Sequence, residues 1–209
     1  LLNFLLELHY LPNTTYFAAI HGSEKIIVEK HEHFIKQTYR NRCTILTAQG
    51  PQNLIVPLTS KHGKVCITDI RIDYTQKWLV NQWRAIESAY RNAPFFEYYV
   101  DDLQNVLFKK QTYLYDLNFE FLTICLKWLK SPIQIQESLS YEKEPSNGVI
   151  DLRNAIHPKK AGLQVSNFNP IPYTQVFGSK FVERMSIIDL VFCEGPNASS
   201  VIAASTMSK

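Results

Sequence analysis

Apolar residues run almost unbroken from Leu5 to Leu11 and stop at Pro12, which cannot donate to a sheet ladder. The pattern predicts a buried strand, followed by a short helix through Ile20 capped by Asn13 or Thr14. His21-Gly22-Ser23 ends that helix, Gly22 suiting the left-handed conformation of a C-cap, and Lys25 to Glu29, with Ile26, Ile27 and Val28, reads as a second buried strand. Strand, helix and strand open an α/β unit.

From Arg42 the pattern turns β-rich. Cys43 to Thr47 and Asn53 to Leu58 flank the turn residues Ala48-Gln49-Gly50-Pro51 and predict a hairpin. Val65 to Asp73 alternates with a phase break, which predicts a third strand carrying a bulge. Beyond Asp73 the period lengthens toward 3.6. Trp78, Leu79, Trp83, Ile86 and Tyr90 share one helical face, Pro94 interrupts, Leu103, Val106 and Leu107 continue, and Leu114 to Leu129 carries a third apolar stripe. Ser131-Pro132 stops the helices, and Ile133 to Gln136 is expected to return to the sheet.

A polar loop over Tyr141 to Gly148 follows, and Pro172 to Phe177 shows strand-like alternation. Ser186-Ile187-Ile188-Asp189 has the spacing of a capping box, which favours a helix start over a nucleophile with its carboxylate. The chain is therefore predicted as a single α/β domain over residues 1–209, with strands in the first third, a helical section, and a returning strand and short helix at the C-terminus.

Composition changes this picture little. The 209 residues are 45% hydrophobic and 20% charged, with 22 basic and 19 acidic side chains for a net +3. Collagen, coiled coil and intrinsic disorder are excluded. A pI of about 8.6 falls short of the clustered basicity of nucleic-acid modules, so no nucleic-acid partner is expected. Cys43, Cys66, Cys125 and Cys193 show no zinc or haem spacing, so free thiols and a cytoplasmic location are expected. The run Leu1 to Leu11 lacks the basic flank and cleavage site of a leader, no stretch reads as an integral membrane segment, and the initial Leu1 implies that residues precede it.

One segment concentrates chemistry. His31-Glu32-His33-Phe34-Ile35-Lys36-Gln37-Thr38-Tyr39-Arg40-Asn41-Arg42 follows a predicted strand, where α/β folds place ligands. On extended backbone His31 and His33 point to one side, as do Lys36, Thr38 and Arg40, with Glu32 opposite. Paired imidazoles suit proton transfer or metal ligation, and the cations suit a phosphate or carboxylate. The spacing is not that of a metal helix motif, and a solvated polar connection accounts for the same residues.

His31 and His33 are the candidate acid/base groups. Lys36, Gln37, Tyr39, Arg40, Asn41 and Arg42 are the candidate substrate contacts. On this reading Arg40→Ala or Arg42→Ala removes anion binding and leaves the melting temperature nearly unchanged. Asp151 and His157 are the groups that could converge with His31. Asp151-Leu152-Arg153 and Pro158-Lys159-Lys160 read equally as an anion-facing loop or a surface ion pair, and Phe95, Phe96, Tyr98 and Tyr99 read as core. No dinucleotide, Walker or nucleophile-elbow motif occurs, and no cofactor is indicated.

Across nearly the whole chain the sequence resembles the WbqC-like proteins of bacteria. The likeness is carried by Tyr10-Leu11-Pro12 with Tyr16-Phe17, the run His31 to Arg42, Val56-Pro57, Ile86 to Tyr90 with Ala93-Pro94-Phe95-Phe96, Asp116-Leu117-Asn118, Tyr173 to Phe177, and Ser186 to Phe192 with Gly195-Pro196. The His31 to Arg42 run looks like the shorter, Bacteroidetes form. The chain departs from the family at Glu7-Leu8, Gln82, Arg184-Met185 and Cys193, and it lacks a glycine-containing segment of longer members. The resemblance implies a place in O-antigen and surface-polysaccharide gene clusters, and transfer of an acyl or aminoacyl group to a sugar. An anionic small molecule or a sugar is the substrate class this implies. A non-catalytic binding or assembly protein of the same machinery is the alternative.

Overall fold

Strand β1 (Asn3–Leu6) lies between two parallel neighbours, β2 (Lys25–Val28) and β6 (Val149–Asp151), and β5 (Gln134–Glu137) extends the sheet beyond β2. The order β5-β2-β1-β6 is parallel throughout. These assignments come from a computed structural model, which describes residues 3–59, 63–146, 148–159 and 168–205. The strands β3 (Arg42–Thr47) and β4 (Gly50–Ile55) pair separately as an antiparallel hairpin.

The first crossover runs through α1 (Thr14–Ile20), whose N-cap Asn13 accepts a hydrogen bond from the Tyr16 N–H at 3.0 Å. Phe17 and Ile20 join the same buried cluster as Phe4, Leu6, Ile26 and Val28. Burying such a side chain stabilises by about 1.5 to 3 kcal/mol, which fixes the face that β1 and β2 turn inward. The predicted first strand is shorter than its apolar run. Glu7 to Leu11 leaves the sheet yet stays buried, because the loop crosses the core beneath Tyr39, whose carbonyl accepts the Tyr10 N–H at 2.9 Å.

The helices fall where the 3.6 period places them: α2 (Trp78–Tyr90), α3 (Phe96–Phe108) and α4 (Leu114–Trp128). α2 packs on α3 and on β3, and α3 packs on α4. α5 (Ile187–Glu194) is covered by α3 and β3, and α6 (Ala198–Ala204) by α1. By length and composition alone Ile187–Ala204, at mean hydropathy 1.2, matches a membrane span, which the sequence expectation had not singled out. The 3-10 turn Gly195–Asn197 interrupts it, and Ile187, Ile188, Leu190, Val191 and Phe192 are fully buried in the core.

Three expectations are corrected. The predicted strand over Val65 to Asp73 is instead a 3-10 turn, Ile67–Asp69, flanked by isolated bridges. Ile67 and Ile70, three apart, are both buried, which is the period of that turn and not of a strand. Pro172 to Phe177 forms no strand. The Gln175 side chain meets the chain there, accepting the Val182 N–H at 2.8 Å and donating to the Val182 carbonyl at 3.0 Å. Ser186 does begin α5, but without a capping box: its hydroxyl donates to the Leu11 carbonyl at 2.9 Å. Asp189 is wholly buried and accepts from Tyr90 Oη, Tyr173 Oη and Gln175 Nε2 at 2.9, 2.6 and 2.9 Å.

Cys43, Cys125 and Cys193 are buried free thiols, and Cys66 is partly exposed; burial pushes the Cys43 and Cys125 thiols far up. Gly195 closes α5 at φ +52°, and a Cβ there would sit 2.4 Å from the Phe95 ring. Gly195→Ala is therefore expected to cost about 1 to 3 kcal/mol from overpacking, read as a lower urea midpoint at unchanged m-value.

Candidate carboxyl-edge site

Because all four sheet strands run parallel, their carboxyl ends share one edge, the place where open α/β sheets receive ligands. Each strand delivers a polar group there: Glu7 after β1, Glu29 after β2, Ser138 after β5, and Arg153 with Asn154 after β6. Residues 30–41 then cross this edge.

The edge is built on a buried charge network. Glu29 Oε1 accepts the His31 N–H at 2.9 Å and the Ser138 hydroxyl at 2.7 Å, and Glu29 Oε2 accepts from Arg153 Nη1 at 3.0 Å. Arg153 also grips Asp151 through Nε and Nη2 at 3.0 and 2.7 Å, with its guanidinium 5.0 Å over the Tyr141 ring. Arg40, at 0% exposure, makes a two-pronged pair with Glu32 at 2.7 and 2.6 Å and donates to Asn154 Oδ1 at 3.0 Å. Glu7 lies 3.7 Å from Arg40 Nη1 and accepts from His9 Nε2 at 3.1 Å and from the Asn154 N–H at 2.9 Å. Asn154 holds this posture at φ +59°, a conformation that asparagine tolerates better than most residues.

Charge counting shows how the network balances. Among the described residues, Glu7, Glu29, Glu32 and Asp151 pair with two guanidiniums, and His9 stands against Glu7. Burial pushes the Glu7 carboxyl up, but the hydrogen bond and charge of His9, the Arg40 charge and the Asn154 N–H outweigh it and hold it at about 2. For Glu32 the balance goes the other way, since burial and the neighbouring Glu7 and Glu29 push it up against the pull of Arg40. Burial lowers Arg40, and Glu32 and Glu7 more than reverse that.

Above this network opens a cleft of about 630 Å³ lined by His31, Glu32, His33, Phe34, Ile35, Lys64, Tyr141, Lys143, Asp151, Arg153 and Asn154. His31 Nε2 lies 3.2 Å from the Ser138 carbonyl. A carbonyl only accepts, so Nε2 carries the proton and the lone pair of the neutral ring sits on Nδ1. Lys64 and Lys143 are exposed and make no ion pair among the described residues. No group of three or more His, Cys, Asp or Glu side chains among the described residues is placed to hold a metal ion.

The predicted site residues divide. His31 and His33 line this cleft, together with Asp151, whereas His157 does not. Lys36, Gln37, Asn41 and Arg42 line a second cavity of about 430 Å³ on the other side of Phe34, which borders both. Tyr39 borders neither, its ring resting 5.4 Å from that of His9. Arg40 is sealed among carboxylates, which corrects the expectation that its loss leaves stability untouched: its partners are protein groups, because the alternation that set it beside Lys36 and Thr38 ends at the 3-10 turn Tyr39–Asn41. Sequence reasoning missed Glu7, Glu29, Lys64, Tyr141 and Lys143. A signal existed for the first two, since each is a lone acid directly after an apolar strand.

The family model for the WbqC-like protein family matches residues 8–160 and 152–201. The chain belongs to that family. It is also 31% identical over 142 residues to the uncharacterized protein Rv1507c of Mycobacterium tuberculosis, a match covering 66% of this chain and 60% of that protein. No solved structure matches.

Proposed function

We propose that this WbqC-like protein is a group-transfer enzyme that moves an acyl or aminoacyl group from an activated, anionic donor to a sugar hydroxyl in surface-polysaccharide assembly, with the carboxyl-edge cleft as its active site. The observation that supports this most is His31: its Nε2–H is committed to Ser138, which leaves Nδ1 as a base in a cleft bordered by the cations Lys64 and Lys143, neither of which forms an ion pair among the described residues. In the step, the sugar hydroxyl gives its proton to His31 Nδ1 as its oxygen bonds the acyl carbon. The bond from that carbon to the donor's leaving group breaks, the electron pair departs with the leaving group, and the proton passes from His31 to that group or to solvent. Lys64 and Lys143 hold the donor's negative charge, the Ser138 carbonyl fixes the His31 ring through Nε2, and Glu29 holds the His31 backbone N–H.

The test incubates the protein with UDP-N-acetylglucosamine and UDP-galactose, each with acetyl-coenzyme A or with glycyl-adenylate, and looks by mass spectrometry for an acetyl or glycyl mass gain on the sugar. His31→Asn is expected to slow product formation about a hundredfold, the low end for loss of a positioned base, with the melting temperature retained. Sugar binding without any mass gain, unchanged in His31→Asn, favours a binding or assembly role in the same machinery.

A further inference from the structure

The second cavity combines open apolar surface with charge of one sign. Its apolar walls are aliphatic apart from Phe34: Val56 and Ile70 are buried, Pro57, Leu58 and Val65 are half-buried, and Ile55 is 45% exposed. The charged side chains in its lining are Lys36 and Arg42, and no carboxylate lines it among the described residues. Neither cation forms an ion pair among those residues. Asp73, whose N–H donates to the Pro57 carbonyl at 2.9 Å, turns its carboxylate onto Thr75, accepting from the N–H and hydroxyl at 2.8 and 2.6 Å. Two positive charges thus border solvent-facing aliphatic surface with no counter-charge of their own. At about 430 Å³ the cavity falls in the size range of small-molecule sites, which pair apolar walls with a few polar groups.

We infer that this cavity binds a phosphate monoester of an aliphatic alcohol, its alkyl chain against the walls and its phosphate at Arg42 and Lys36. Such a phosphate carries about −1.5 to −2 charges at pH 7, which balances both cations, whereas a carboxylate balances one. A guanidinium grips two phosphate oxygens at once, and an ammonium adds a compact point charge. Aliphatic walls favour an aliphatic chain, and each methylene that leaves water for them strengthens binding by about fourfold. Head and chain are therefore both required, and either alone is held weakly. This inference concerns binding in a cavity that Phe34 separates from the first cleft, so it stands or falls independently of transfer at His31.

Calorimetric titration of the whole protein with octyl phosphate, butyl phosphate, octyl β-glucoside and inorganic phosphate, each below its micellar concentration, tests it. Octyl phosphate is expected to bind at least tenfold more tightly than butyl phosphate, which has the head with half the chain, and than octyl β-glucoside, which has the chain with a neutral head. Arg42→Gln is expected to weaken octyl phosphate binding about tenfold to a hundredfold, the range for loss of a charge-assisted contact. Should Arg42→Gln not fold, Lys36→Gln, at an exposed position, carries the test with an expected loss of about tenfold. Ile55→Glu, also at an exposed position, puts a carboxylate in the lining and is expected to weaken binding by a similar factor. Equal affinity for octyl β-glucoside, equal affinity for butyl phosphate, no binding of octyl phosphate, or unchanged affinity in the folded variants overturns the proposal. So does binding lost in Lys143→Ala but kept in Arg42→Gln, which places the ligand in the first cleft.

Discussion

Arg40→Ala is expected to lower stability by about 3 to 5 kcal/mol, the cost of breaking a buried ion pair from one side. In a chain of this length each kcal/mol corresponds to about 2 to 4 °C, so the melting temperature should fall by about 6 to 20 °C. The cause is not lost packing alone. Glu32 is bound through both oxygens to Arg40, and Glu7 draws on the same guanidinium, so the truncated protein keeps two buried carboxylates with their shared cation gone. The double variant Arg40→Leu, Glu32→Leu is expected to recover part of the loss, because one of those stranded charges goes too. Chemical denaturation of the three proteins decides it. A single variant as stable as wild type would show that the network contributes nothing to folding.

Acid sensitivity is the second large effect. The folded Glu7 carboxyl is held at about 2 against an ordinary value of 4.5. A depressed carboxylate stabilises the fold fully above its unfolded value, and that contribution is lost as pH falls toward the folded value. Over the window from pH 4.5 to 2 the loss is about 3 kcal/mol. Glu32 and the buried Asp189 are shifted upward by burial and oppose the trend, since the folded state then takes up protons more readily than the unfolded one. Comparing wild type with Glu7→Gln isolates the contribution: the variant's stability should fall less steeply across that window by about the same 3 kcal/mol. Parallel curves would place the acid sensitivity elsewhere.

These two groups also mark where sequence reading stopped. The helices were legible because Trp78 to Trp128 repeats its apolar positions at the helical period, and the first two strands because Phe4, Leu6, Ile26 and Val28 face one core. β6 was not legible: Val149 and Ile150 emerge from a polar loop, and only pairing with β1 makes them a strand. The same distance hid the site. Arg40 and Asn154 meet across 114 positions and Glu7 and Asn154 across 147, so local alternation could identify a cation at 40 but not the carboxylates that enclose it. The run from His31 to Arg42 was identified as one functional surface, whereas Phe34 divides it between two cavities. Alternation describes a straight strand, and this segment turns at Gln37, whose φ is +61°.

The position of β1 between β2 and β6 sets a timetable for the growing polypeptide. One flank of β1 is paired as soon as Val28 has emerged, but the other waits for Val149 to Asp151, about 120 residues later. At translation rates of roughly 5 to 20 residues per second that interval is about 6 to 25 s. Throughout it the central strand presents an open edge of unpaired amide and carbonyl groups, the kind of edge to which another nascent chain can add. Crowding of ribosomes on one message should therefore tax this protein's yield more than its final stability would suggest.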